Sequence, residues 1–536
     1  MRHSLPRLPL GVLALFTAGL VILGARSTVV AAEPFRLSRA DYAERAHACW
    51  AAQMAAVFLA FPFEHQRAST EWLKNYPKPY THAIVDDDWY YEMSALRAFE
   101  KHGPGLTVQQ LGAQWQLDRC GTWGSSKEAR LNLERGLLPP DTGHPRYNRS
   151  WWTIGPQFSA EVYGLLAPGR PNLAAQLARE FGHINGYAEA VDGAVFVAGA
   201  VSLAFDEKDP RAIVREAARL IHPESPYRRC LDDLIALADR GRSFEDITHI
   251  VVDRWATEYP GTNNAVANGG IIALCLWFGE GDFLKTVNLA CQVTDYTDAD
   301  CNAAGAAAVI GAMHGLKAIP ANLLEPLHDR IFGDKMGDLP LPPVDESISA
   351  LGRRTAVMGE KMLLAHGSQI AGETLVIIRE TAQPLPLERF TLGDLTRYWQ
   401  PDWSLDRAGF GATIGGRGGY PGGTWLSDGV LTTWPRELMR GVVLTRQVKL
   451  PTGTPHLTVE VAADSGRAWE FSLCVNNREI EKRAIIGGAK REWQTIEADL
   501  SQYAGQSVTL RLYQNLVTGI QTRPPSAAHW QSITLK

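Results

Sequence analysis

From about Ser38 to Glu380 apolar residues recur at three- and four-residue spacing, the period of a helix that buries one face. The clearest runs are Asp41–Phe63, Leu173–Phe181, Val191–Phe205, Asp209–Leu220, Ala265–Phe278 and Phe283–Gln292. The stretch from Ala303 reads AAGAAAVIGAMHG, and side chains that small let helix axes approach closely, which predicts a buried central helix. Loop signals separate these runs at Pro77 and Pro79, Pro139-Pro140, Pro168-Gly169, Pro260-Gly261 and Pro340–Pro343. The expectation is an all-α domain over residues 38–385.

Beyond Arg379 the period changes from helical to alternating. A glycine-rich run at 408–423 precedes strand-like segments at Val442–Val448, His456–Val461, Trp469–Val475, Thr495–Asp499 and Ser507–Tyr513. Short strands at near-regular spacing predict a jelly-roll-like all-β sandwich over residues 392–536, so the chain reads as multidomain, with a boundary between 380 and 400.

The first residues follow neither pattern. Arg2, His3 and Arg7 precede an uncharged apolar run from Leu8 to Ala25, and Val30-Ala31-Ala32 supplies small residues for cleavage. Residues 1–32 therefore read as a signal peptide, which implies a secreted or periplasmic protein, an uncleaved anchor being the alternative. Once that segment is removed, no later segment reads as apolar enough to cross a membrane. With 53 basic and 58 acidic side chains the net charge is -5, and no basic cluster stands out, so nucleic acid is not an expected partner. The seven cysteines are too few and too scattered for a disulfide scaffold or a zinc cluster, although one bridge such as Cys120 with Cys230 is open.

Two acidic groups carry the chemistry. Asp86-Asp87-Asp88 stands immediately before a helical pattern, where capping explains one or two carboxylates but three contiguous ones repel each other unless solvated or neutralised by a cation, for which a hard divalent ion is the usual choice. Asp295, Asp298 and Asp300 precede the small-residue helix, and no Lys or Arg lies between Thr286 and Lys317. On a regular helix Asp298 and Asp300 would point about 200° apart, so they converge on one ion only from an irregular first turn.

These blocks, in this order, resemble the ADP-ribosylglycohydrolase family. Cys49–Glu64 resembles its opening helix with a Pro-x-Glu exit, and Asp86-Asp87-Asp88 its first acidic motif. Arg130–Pro140 and Gly155–Gly169, followed by Pro171–Phe205, resemble its middle motifs, and Asn264–Pro320 its final block, with Asp298-Ala299-Asp300-Cys301-Asn302 in place of the family's Asp-Thr-Asp-Cys-Asn. The resemblance implies a hydrolase that cleaves the glycosidic bond between ADP-ribose, or a related ribosyl group, and its acceptor, and the leader adds the expectation that it is exported. It implies two Mg²⁺ or Mn²⁺ ions held by Asp86, Asp87, Asp88, Asp298, Asp300 and Cys301, with Asp87 and Asp298 catalytic. The register within the triple Asp is open by one residue, and a thiol at Cys301 is a poor ligand for a hard ion. Glu64, Gln157, Glu161, His183 and Asn264 are the substrate-contacting candidates carried by the same blocks.

The segments Ser465–Asn477, Trp493–Tyr503, Gly505–Leu512 and Ala528–Leu535 resemble galactose-binding-type and related carbohydrate-binding modules. That resemblance implies a glycan as a second partner. Trp469, Trp493 and Trp530 are then either sugar-stacking platforms or core residues. Alternative functions are a secreted glycosidase acting on another sugar conjugate and a non-catalytic glycan-binding protein that keeps the fold.

Overall fold

Helix Arg39–Ala60 runs through the middle of the helical region, and every residue from Ala48 to Ala60 is buried. Its alanines admit two neighbours at close range, the helices Ala299–His314 and Ile348–Ala365. At Gly311 a Cβ would lie 2.6 Å from the backbone oxygen of Ala48, so only glycine permits that crossing. All of Ala299–Met313 is buried, as the small-residue composition predicts. Arg39–Phe63 corrects the expectation that no later segment is apolar enough to span a membrane. It meets that test of length and composition, but 78% of its apolar window is buried inside the fold, so its apolarity is used for packing.

The computed structural model describes residues 33–251, 254–255, 262–406, 413–414, 423–433, 443–517 and 526–536. Residues 1–32, read from the sequence as a signal peptide, and most of the glycine-rich run lie outside the described residues. Further helices at Asp87–His102, Gly124–Glu134, Pro171–Gly182, Glu189–Ala204, Ala265–Gly279 and Phe283–Gln292 complete the layers around the central pair. The helical region also carries a little β-structure that the sequence pattern hides. Phe35–Ser38 pairs with Thr374–Ile377, and Ile331–Met336 forms a hairpin with Leu339–Glu346. The second of these corrects the reading of Pro340–Pro343 as a loop. A two-stranded hairpin is all edge, so prolines there need not interrupt a ladder.

The C-terminal region is a sandwich of two sheets. One orders the strands Arg478–Ile486, Ala468–Val475, Ser507–Asn515, Val443–Lys449 and Ser404–Asp406. The other is built around Gln494–Asp499, His456–Ala463, Ala528–Leu535, Val430–Thr433 and Gly423–Ser427. Alternate residues such as Leu457, Val459 and Val461 point into the shared core. Trp469 and Trp530 are part of it, with ring centroids 5.2 Å apart and both indole N–H groups bonded internally. Of the three tryptophans offered as sugar platforms, Trp493 alone is exposed, at 40%.

Helical region and sandwich are fused through apolar packing, and Pro34–Lys536 forms one unit. Trp151, Trp152 and Ala188 from the helical side join Phe390, Leu395, Trp403 and Leu426 in the sandwich's hydrophobic cluster. Arg135 pairs with Asp428 across the same seam at 2.9 Å. All seven cysteines are free, so Cys120 and Cys230 do not bridge.

Candidate active site

The first acidic motif sits where a loop turns into helix Asp87–His102. Asp86 has extended backbone and accepts the Asp88 amide at 3.3 Å, so it is the N-cap. Capping therefore accounts for Asp86 and leaves the other two carboxylates to be explained. Asp87 is half-buried at the cleft wall, and Asp88 is buried beneath it.

The second motif solves its angular problem as an irregular first turn. Asp298 occupies the N-cap of helix Ala299–His314 with non-helical backbone, and its carboxylate makes no capping bond. Asp298 and Asp300 both line the same cleft as Asp86 and Asp87. Asn263 donates its side-chain amide to Oδ2 of Asp298. The two motifs are about 210 residues apart in sequence, and helix Arg39–Ala60 supplies the third contributor through its exit at Phe61–Phe63.

That exit brings Glu64 and His65 against Asp298. His65 has a positive φ of 54° and donates its backbone N–H to Thr297 at 2.8 Å. Tyr296 returns a backbone bond to Gln66 at 2.6 Å, and the Ala68 amide donates to Asp295 at 2.9 Å. This clasp fixes one imidazole nitrogen 3.7 Å from Glu64 Oε1 and the other 3.5 Å from Asp298 Oδ2. Among the described residues no Lys or Arg pairs with these acids, and the cleft's arginine, Arg149, is paired with Glu128 at 2.9 Å.

The electrostatics follow from this crowding. Burial is the largest cause of the shifts. It pushes the Asp86 carboxyl up to about 7, with repulsion from Glu64 and Asp298 adding to it and the Asp88 amide opposing. Burial, then neighbouring carboxylates, likewise hold Asp87, Asp88 and Asp300 well above the ordinary range. Glu64 is raised for the same reasons, with His65 opposing. Oδ1 of Asp298 and Oδ1 of Asp300 are buried and meet no hydrogen-bond donor among the described residues. An uncompensated buried carboxylate costs several kcal/mol, so a set of them facing one cleft fits cation ligands better than it fits a capping role.

Glu64, His65 and Asp298 present donor atoms within 4.8 Å of one another, and so do Asp298, Asp300 and Cys301. Asp298 belongs to both groups. Burial raises the Cys301 thiol strongly, with the charges of Asp298 and Asp88 adding to it. The cleft has a volume of about 610 Å³, and Trp123, Trp152 and Phe158 form its aromatic wall.

The remaining candidates lie elsewhere. Gln157 is buried and accepts the Tyr227 hydroxyl at 2.9 Å. Glu161 is fully buried, accepts the Ala160 amide at 3.0 Å and faces Glu92 through Gln53. Burial raises Glu161 to about 8. His183 bonds Glu388 at 2.9 Å, where it secures the segment leading to the sandwich. None of these three lines the cleft. Asn264 caps helix Ala265–Gly279 through the Ala267 amide at 2.8 Å, one residue from Asn263, which does face the site. Asn263 and His65 were missed by the sequence reading. The signal for each was adjacency to a residue already marked, Asn264 and Glu64.

Solved structures similar to this chain fall into two sets. An ADP-ribosylglycohydrolase-related protein complex covers 60% of this chain and 98% of its own, at 17% identity and a TM-score of 0.41. Against the sandwich stand the CBM36-1 domain of a multidomain xylanase from the hindgut metagenome of Trinervitermes trinervoides and the EclA C-terminal domain, a sugar-binding protein. The first is 12% identical over 25% of this chain and 96% of its own, with a TM-score of 0.16. The second is 15% identical over 28% and 100%, with a TM-score of 0.17. No curated protein matches the chain. The model of the ADP-ribosylglycohydrolase family matches residues 38–354, more than half of the sequence and the whole of both acidic motifs, and the chain belongs to that family.

Proposed function

We propose that the protein is an exported, divalent-metal-dependent hydrolase of the glycosidic bond between ADP-ribose, or a related ribosyl group, and its acceptor. The observation that carries the reading is Asp298, a buried carboxylate common to two donor groups and paired with no Lys or Arg among the described residues. A carboxylate with two oxygens can serve two neighbouring ions, and the sharing of Asp298 between two donor groups supports a reading with two. Asp298 stands within donor spacing of Glu64 in one group and of Asp300 in the other, Asp86 and Asp87 line the same cleft, and Asp88 completes the proposed ligand set. A pair of Mg²⁺ or Mn²⁺ ions bound there would supply Lewis-acid polarisation and a water of lowered pKa.

The chain's own residues do the rest. Asn263 holds the orientation of Asp298 through its amide. Asp87, the half-exposed member of the first motif, takes or returns a proton at the cleft wall, where burial and neighbouring carboxylates raise its pKa and favour the proton-bearing form. Trp123 and Trp152 offer flat apolar surface for the sugar or base, and Arg149 is the cation on the same wall. Export rests on the basic-then-apolar leader, and amino-terminal sequencing of secreted protein should begin at Glu33.

The test is hydrolysis of ADP-ribosyl-arginine, ADP-ribosyl-serine and simple glycosides with Mg²⁺ or Mn²⁺, comparing wild type with Asp87→Ala and Asp298→Ala. Release of the free sugar nucleotide by wild type and its loss in both variants supports the reading. Turnover of glycosides alone moves it to another sugar conjugate, and equal activity in all three proteins removes the site. A glycan ligand for the sandwich belongs to the same proposal through Trp493, and retention of the full chain on a glycan array should fall in Trp493→Ala.

A further inference from the structure

We infer that His65 is a nitrogen ligand at this centre, making with Glu64 and Asp298 a mixed nitrogen–oxygen position that selects a first-row transition-metal dication over Mg²⁺. The inference rests on the divalent-metal reading above and adds the identity of one ligand and the class of ion. Three observations support it. The donor atoms of the three residues lie within 4.8 Å of one another. The ring nitrogens stand 3.7 Å from Glu64 Oε1 and 3.5 Å from Asp298 Oδ2, beyond the length of a direct hydrogen bond. Nδ1 faces Glu64 and Nε2 faces Asp298, so one of the two binds a given ion. Two donors each about 2.1 Å from one ion are about 3.0 Å apart at a right angle and about 4.2 Å apart when opposed, and the 3.5 Å between Nε2 and Asp298 Oδ2 falls inside that range.

The position is also built. His65 is held in the left-handed backbone region, which a non-glycine residue adopts at a cost, by paired backbone bonds to the segment that carries Asp298. The imidazole is thereby tied to the carboxylate it faces. A ligand whose place is set by backbone needs little reorganisation when an ion arrives. Imidazole suits Mn²⁺, Fe²⁺ and Zn²⁺, whereas Mg²⁺ prefers oxygen and keeps its waters. A centre made of carboxylates alone would show a weaker preference.

Mn²⁺ is the probe, added to the full chain, with binding followed by titration and the ligand atoms read by pulsed electron paramagnetic resonance. Wild type should show nitrogen hyperfine coupling to Mn²⁺ that is absent in His65→Ala. Mn²⁺ affinity should fall about tenfold or more in that variant, while Mg²⁺ affinity changes less than about threefold. His65→Gln, which keeps a polar side chain of similar reach, serves if the alanine variant does not fold. Mn²⁺ bound without nitrogen coupling in wild type, or coupling that persists without His65, overturns the inference and leaves the proposed function standing. Failure of wild type to bind Mn²⁺ overturns both.

Discussion

The side-chain amide of Asn263 donates to Oδ2 of Asp298, while its neighbour Asn264 turns away and caps the following helix through the Ala267 amide. Two adjacent asparagines thus have separable duties. Asn263→Ala should lower metal affinity and turnover by about 10- to 100-fold, because an oriented ligand becomes a loose one, with little change in melting temperature. Asn264→Ala should do the reverse, costing about 1 kcal/mol of stability as a lost N-cap. Metal titration and thermal melts on the two variants check the pair.

Metal-free protein should lose stability as pH rises. Asp86 holds its proton up to about 7 in the fold, against an ordinary 3.8, so between those values the folded state binds more protons than the unfolded chain. That contribution is fully present below about pH 4 and disappears as pH climbs through 7. Asp87, Asp88 and Asp300, all raised, push in the same direction. Divalent ions bind the deprotonated carboxylates, so added Mn²⁺ should raise the melting temperature more at pH 8 than at pH 5. Melts with and without chelator across that range measure both effects.

Glu161 and Glu92 form a second acidic pair, buried beside Gln53 and outside the cleft. Glu161 is pushed up to about 8, so above that pH a charge is forced into the core. Glu161→Gln removes the charge and keeps an oxygen for the Ala160 amide. Its stability should be flatter than wild type between about pH 7 and 9, with metal affinity unchanged within about twofold. Urea unfolding at both pH values is the measurement.

Trp151→Ala should cost about 3 to 5 kcal/mol, as a large aromatic deleted from a buried cluster does. The loss should reach the site as well. The Tyr187 amide is bonded to the Trp151 carbonyl, the Ala265 amide to that of Trp152, and the Ile154 amide to that of Asn263. A raised KM beside the stability loss, in denaturation and steady-state assays, would register both effects.

The helices were legible because their apolar residues repeat every three or four positions, and the acids because they stand together without basic neighbours. What escaped was set by three-dimensional placement. His65 is one residue beyond Glu64 in a turn, and nothing in the string distinguishes it from a surface histidine until Thr297 is seen to accept its backbone bond. Gln157 and Glu161 sit in a block that resembles the family's middle motif, yet their side chains turn inward to Tyr227 and Ala160. The hairpin at Ile331–Glu346 was hidden by prolines that normally mark loops.

Trp152 is shared property. One surface of its ring belongs to the cleft wall, and the residue is also counted in the hydrophobic cluster of the sandwich. The C-terminal layer therefore backs the cleft wall, and a chain cut near residue 391 would uncover Trp152 at the pocket and Trp151 next to it in sequence. Such a fragment would be sticky at the very place it needs to be selective. Transplanting the sandwich onto another protein, or exchanging it for a different module, would mean recutting this wall at the same time.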